Sequence, residues 1–399
     1  MSKKINFKLY DKNLDVAPFE SYRQLRDHAP CYWIPDANAW ILSRYEDVVA
    51  AAKNWETFSS QSGNLIDEIE GRAGGTLGTT DPPKHDRLRR LVQSAFSRKH
   101  IADFEPEVIA ICERTFGDLD ASAPFDFVEK VSSPITVGSI TGLLGFETPS
   151  PAKLRQDVVM SIATDKTRQG RSPEMDQAFA EVKSFVEANV RTAHKDGMIG
   201  RLRDASEDGN VLSEREVTLT AAMFVIAGVE SLSGLLAMAM INLAQNPRVQ
   251  KELRQSPELV GAFIEETLRF NGSAQRFGRV ATKDVELHGQ RIRKGDKVIL
   301  AYGSANRDER RFEHPDVFDL HRNTSGHLGL GIGVHFCIGN ILARLIAGHC
   351  ISGLLAHTKN LTLAEADICW LSSSNFRAPR QLLVIDAATS TRKKTIPNA

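Results

Sequence analysis

The chain has no CxxC pair, no surplus of charge of either sign, no Gly/Ser/Pro-rich linker and no internal repeat. Its cysteines, at 31, 112, 337, 350 and 369, are scattered and odd in number, which argues against a disulfide framework and for reduced thiols. Lys plus Arg and Asp plus Glu each number 50, so no global field points to nucleic acid, and an electrostatic partner must use a local patch. The opening residues Met1-Ser2-Lys3-Lys4-Ile5-Asn6-Phe7-Lys8 lack the apolar core and cleavage site of a signal peptide, so a cytoplasmic protein is expected. The apolar run 221–244 carries Glu230, Ser231 and Ser233 at its middle. Charge at a bilayer centre is costly, so this run is expected as a buried helix and no membrane partner is expected. With no composition break, one domain spanning 1–399 is expected.

What is present is helical periodicity, with helices expected at 17–28, 45–53, 84–96, 101–119, 131–143, 151–165 and 173–195, and a short one at 64–70. The stretch 31–42 reads as a small hairpin, and 279–300 and 358–385 as further short strands. Ser213-Glu214-Arg215-Glu216 is a capping box, and no proline follows until Pro247, which allows one helix of about 30 residues. Ser256-Pro257-Glu258 opens another, ending near Phe270. The fold class expected is mainly α with small β-sheets.

The segment His327-Leu328-Gly329-Leu330-Gly331-Ile332-Gly333-Val334-His335-Phe336-Cys337-Ile338-Gly339 sets one cysteine behind alternating glycines and ahead of an apolar helical pattern from Ile338. Glycine lets a chain pass close to a large flat object, and a helix N-terminus favours a thiolate by lowering its pKa. A dinucleotide fingerprint is excluded, because Phe336 rather than glycine stands three residues after Gly333. A catalytic thiol with His335 as its base is disfavoured, since a histidine two residues away seldom reaches its neighbour's sulfur in the right geometry.

The pattern Gly-x-Gly-x-His-x-Cys-x-Gly, with Ala343-Arg344 after it, resembles the haem-binding signature of the cytochrome P450 family. Three further motifs share the resemblance in the family's order. Glu266-Thr267-Leu268-Arg269 resembles its ExxR pair, with Arg322 the candidate third member of a buried ion network. Ala227-Gly228-Val229-Glu230-Ser231-Leu232 resembles its oxygen-activating segment, where a small residue kinks the helix. His85 and Arg89 lie at i, i+4 after Asp81-Pro82-Pro83 and, with Arg279 and His335, resemble the family's propionate ligands. The departures are Ser231 and Leu232 where threonines are common, and Leu330 where a phenylalanine is usual.

The resemblance implies a P450 fold with haem b (iron protoporphyrin IX) between the long central helix and the cysteine-loop helix. Cys337 is the implied metal ligand, His85, Arg89, Arg279, His335, Cys337 and Gly339 bind the cofactor, and Glu230 and Ser231 are catalytic. It implies a monooxygenase that inserts one atom of O2 into a small, largely apolar substrate by hydroxylation or O-dealkylation. The chain is too short to include a fused flavin reductase, so electrons are expected from a ferredoxin and ferredoxin reductase. Arg87, Arg90, Arg98 and Lys99 are candidates for a basic docking patch. A peroxygenase or specialised oxidase, and a haem-binding sensor without turnover, are the alternatives. Expected pocket walls are 62–79, 160–171, Phe224, Ala227, 274–277 and 375–376, with Arg276 or Arg377 available to a substrate carboxylate.

Overall fold

A computed structural model describes residues 5–388 apart from 149, 196 and 208. Its spine is the helix Glu214–Gln245, 32 residues long. Ser213 Oγ accepts from the Glu216 N–H at 3.3 Å while the Glu216 carboxylate accepts from the Ser213 N–H at 2.9 Å, so the capping box expected from sequence forms. Its apolar stretch is 78% buried inside the molecule, so it is a core helix. Helices Ser133–Leu144, Pro173–Thr192, Val260–Asn271 and Asn340–His357 pack around it and form the largest apolar core. A helix enclosed on all sides carries no polar stripe, which accounts for its all-round hydrophobicity.

The strand Leu361–Leu363 packs against the long helix, and the five-stranded sheet builds a separate core. Cys31–Ile34 pairs antiparallel with Ala39–Leu42, which pairs parallel with Lys297–Leu300. Lys297–Leu300 pairs antiparallel with Phe277–Ala281, and that strand with Phe58–Ser59. The pairing Arg279↔Val298 fixes the height at which Arg279 leaves this sheet.

Several expected boundaries shift. Residues 64–70 form no helix; bends and turns there are held by Arg72, whose guanidinium donates to both Glu68 oxygens at 2.6 Å and to Asn64 Oδ1 at 2.6 Å. Helices Met198–Asp204 and Pro247–Gln255 were not expected. Pro247 ends the long helix and starts the next, because a missing N–H costs nothing at a first helical position. The helix expected from Ser256 begins as the 3₁₀ turn Pro257–Leu259 before Val260–Asn271. The cysteine-loop helix starts at Asn340 rather than Ile338.

The loop after Pro151–Ser161 is strapped down. The Thr164 N–H donates to Ser372 O at 2.9 Å, and the Thr164 hydroxyl donates to Asp67 at 2.8 Å and lies 3.1 Å from Ser374 Oγ. Lys166 meets Asp15 at 3.0 Å, both side chains buried. The N-terminal segment, this loop and the loop 371–376 are thereby one tied unit.

Candidate functional site

The cysteine loop is folded by its own backbone. The Cys337 N–H donates to Leu330 O at 2.9 Å and the Gly331 N–H to Leu328 O at 2.9 Å. Its glycines answer mainly to protein neighbours. A Cβ at Gly329 would lie 2.5 Å from Leu268 O, and Gly333 combines φ +75° with a Cβ position 2.9 Å from Ala52 O. Burial pushes the free Cys337 thiol up, with the Gly339 N–H, Arg89 and Arg344 pulling the other way. This corrects the expectation from the helix N-terminus: the helix begins three residues later, and desolvation outweighs the donors.

Behind the sulfur, Arg344 grips Glu265 through Nε at 2.6 Å and Nη2 at 3.0 Å, and His327 Nε2 meets the same carboxylate at 2.9 Å. Burial opposes ionisation of Glu265, yet His327 and Arg344 hold its pKa down to about 2. Sequence reasoning passed over Glu265; its one signal is that it precedes the motif residue Glu266. Glu266 and Arg269, both fully buried, pair through two bonds of 2.7 Å. Arg322 joins Glu266 at 3.2 Å, and Arg269 also donates to Asn306 O and Pro315 O. This network ties the helix Val260–Asn271 to the segment before the cysteine loop.

A cavity of about 300 Å³ opens beside the sulfur, and His85, Arg89, Ser231, Arg279, His335 and Cys337 all line it. The His85 and His335 rings meet edge to face, centroids 4.9 Å apart. Nε2 of each is buried without a hydrogen-bond partner. Such orphans are expensive unless something fills the space before them. Arg89 donates to Val334 O at 2.9 Å, and burial lowers its pKa against the pull of Cys337 and Asp86. Arg279 donates to Gly278 O at 2.7 Å. Burial also lowers His335, assisted by Arg279 and His85 and opposed by Asp81. Gly339 does not line the cavity but stands next to the sulfur, its Cβ position 3.9 Å from Cys337 Sγ.

The long helix forms the roof. The Ser231 hydroxyl faces the cavity and donates to Ala227 O. Glu230 faces the other way, among buried side chains, with Arg155 3.8 Å from it. Burial raises its pKa to about 7, against the lowering effect of Arg155. The helix runs unbroken through Gly228, and a Cβ there would lie 2.7 Å from Ile140 Cδ1, so that glycine admits a neighbouring helix.

Most expected walls are present, including Arg72, Thr76, Ile162, Ala227, Phe277 and Phe376. Phe224 packs on Phe96 instead. Neither Arg276 nor Arg377 lines the cavity: Arg276 donates to Ser374 O, and Arg377 to Val16 O and Asn271 over the Trp370 ring. In the expected basic patch, Arg87 is paired with Glu216, Arg90 with Glu207 and Lys99 with Asp103, so most of its charge is compensated.

A thiol at one end, two imidazoles whose Nε2 atoms make no hydrogen bond and two arginines at the rim, and apolar walls between suit a flat apolar macrocycle with anionic arms and a metal that takes one thiolate ligand, with Asp86 2.9 Å from His85 Nδ1 and Asp81 3.8 Å from His335 Nε2 behind the rings. Residues 159–364 match the family model for Cytochrome P450. The chain is 32% identical over 371 residues to Cytochrome P450 109 of Bacillus spizizenii, covering 90% of this chain and 89% of that protein. It is 31% identical over 384 residues to nocardicin C N-oxygenase of Nocardia uniformis subsp. tsuyamanensis, covering 93% and 96%. Its fold superposes on the cytochrome P450 PksS of the Bacillus subtilis bacillaene polyketide synthase with a TM-score of 0.86 and 27% identity, covering 96% of this chain and 100% of that one. From the thiol loop and its cationic rim to the roof helix, the chain belongs to the cytochrome P450 family, and it is an oxidoreductase of monooxygenase type whose cofactor is haem b.

Proposed function

We propose that the protein inserts one oxygen atom from O2 into a largely apolar small-molecule substrate, with Cys337 as the axial thiolate and His85, Arg89, Arg279 and His335 as partners of the haem carboxylates. The observation that carries this reading is the convergence of these side chains, from separate stretches of chain, on one cavity where two imidazole nitrogens are buried without a hydrogen bond. When bound, the haem supplies the oxygen-activating redox chemistry. The protein's share is positional and protonic. Apolar walls from Leu232, Leu235 and Phe277 exclude water and hold the substrate.

Ser231 Oγ is the hydroxyl placed to hand a proton into the cavity, after letting go of Ala227 O. Glu230, with a pKa near neutrality and Arg155 beside it, is placed to hold a proton on the far side of the same helix turn. Electrons arrive from a separate ferredoxin and reductase in the cytoplasm, docking on the cysteine-loop face where Phe336 is exposed. The 399 residues act as one haem domain.

Cys337→Ser tests the reading. The variant is expected to fold and retain haem, held by the rim cations, yet to lose the red-shifted Soret band of the reduced, carbon-monoxide-bound protein that only a thiolate gives. Retention of that band would overturn the assignment.

A further inference from the structure

A second cavity of about 570 Å³ adjoins the one beside Cys337, and the two share Arg72, Thr76, Met223, Ile226 and Ala227. These residues form a neck, with the loop 62–79 on one side and the long helix on the other. Beyond it, Phe179, Leu219 and Ala222 line the outer chamber with apolar surface. Its rim carries carboxylates Glu70, Glu187 and Glu214 against cations Arg72, Lys183 and Arg215. Four of these charges are ion-paired, Arg72 with Glu68 at 2.6 Å, Lys183 with Glu187 at 3.7 Å, and Glu214 with Arg203 at 2.9 Å, and Glu70 and Arg215 are opposite in sign. The rim therefore offers hydrogen bonding without a net field to draw an ion.

Another wall of the inner cavity is Ile162, just after Pro151–Ser161. The loop that follows Pro151–Ser161 is tied through Thr164 to Asp67, Ser372 and Ser374, and through Lys166 to Asp15. A molecule too long for the inner cavity has its room beyond the neck.

We propose that the outer chamber is a substrate subsite. It takes the distal half of an elongated, chiefly apolar molecule whose reacting end lies below Ser231 and whose other end is polar but uncharged. Resting on the haem-thiolate reading, the assignment names the substrate class that this site accepts.

The test uses haem-loaded protein and two azole probes, N-butylimidazole and N-dodecylimidazole, whose binding is read from the Soret shift. Ala222→Trp and Leu219→Trp each narrow the outer chamber alone. They are expected to weaken the dodecyl probe about tenfold or more, the effect of displacing roughly two methylenes from apolar surface, with the butyl probe unchanged. The butyl response reports the haem site itself, so a failure of the haem-thiolate reading shows there, in the parent, and not in the contrast between probes. Equal effects on both probes, or none on either, would overturn the proposal. So would a gain or loss of dodecyl binding in Thr164→Val, which cuts the loop's hydroxyl bonds and is expected to change neither probe. A dodecylimidazole ending in a hydroxyl is expected to bind at least as tightly as one ending in a carboxylate; a tenfold preference for the carboxylate would overturn the uncharged end.

Discussion

Glu230 is fully enclosed, and its Oε2 has no hydrogen-bond donor. Desolvation therefore sets its titration, raising the pKa from 4.5 to about 7. A raised acid destabilises the fold as pH rises. Below about 4.5 both folded and unfolded states hold the proton, and between 4.5 and about 7 only the unfolded carboxyl ionises. Stability lost across that window is on the order of 3 kcal/mol and stays lost above it. Glu230→Gln is expected to gain melting temperature relative to the parent progressively from pH 5 to pH 7.5; parallel curves would show that the carboxyl is solvated. The acid and its serine neighbour were both legible in sequence as a pair. Their opposite facing was not read there, although it follows from helical geometry: consecutive residues point about 100° apart, so only one of them looks into the cavity. Arg155, remote in sequence, gave no signal at all.

At the scale of elements, the long helix meets its neighbours most tightly at two glycines, Gly228 and Gly234. A Cβ at Gly234 would lie 2.4 Å from Ser273 Oγ, 2.8 Å from Ser273 Cβ and 3.1 Å from Ala378 Cβ, atoms fixed close to their main chains. At Gly228 the nearest obstacle is Cδ1 of Ile140 at 2.7 Å, the far end of a side chain rather than an atom next to a main chain. Gly234→Ala is expected to cost about 1–3 kcal/mol by overpacking, more than the ~1 kcal/mol helix propensity it gains. Gly228→Ala is expected near neutral. Urea unfolding of the two haem-loaded variants separates these outcomes, and equal midpoints would refute the distinction.

Elements with strong period and caps were readable: the capping box announced the long helix, and alternation announced the hairpin at 31–42. What escaped was Pro247–Gln255, hidden because one proline served as both stop and start. The loop 64–70 was misread as helix because its apolar residues serve different cores, Leu65 packing by Ile162 and Phe376 and Ile66 by Phe7 and Leu9, with Arg72 replacing helical bonds by side-chain ones.

Across the whole molecule, order depends on contacts that no local pattern foretells. Lys166 and Asp15 are buried together; burial raises the acid and lowers the base, each drawn back by the other. Lys166→Met removes the ion-pair partner of Asp15 and leaves only the Ser373 amide and the charge of Arg276 to offset its burial, an expected loss of about 3 kcal/mol at neutral pH, and adding Asp15→Asn is expected to restore much of it. Thermal melts of both variants decide this: a double variant no better than the single one would mean that the pair contributes nothing as a pair. The cofactor motifs, by contrast, were legible because each packs its chemistry into a few consecutive residues, as Cys337 and Glu266 do.

The strap at Thr164 has a kinetic consequence. Its amide and the amide of Ser374 are held across three distant stretches of chain by bonds that meet at one threonine. Neither can open without the other, so the two should behave as a single breathing unit. In amide hydrogen exchange of the haem-loaded protein, Thr164 and Ser374 should share one opening free energy, and Thr164→Val should lower the protection of both together; separate rates would mean that the loop after Pro151–Ser161 and the loop 371–376 move independently.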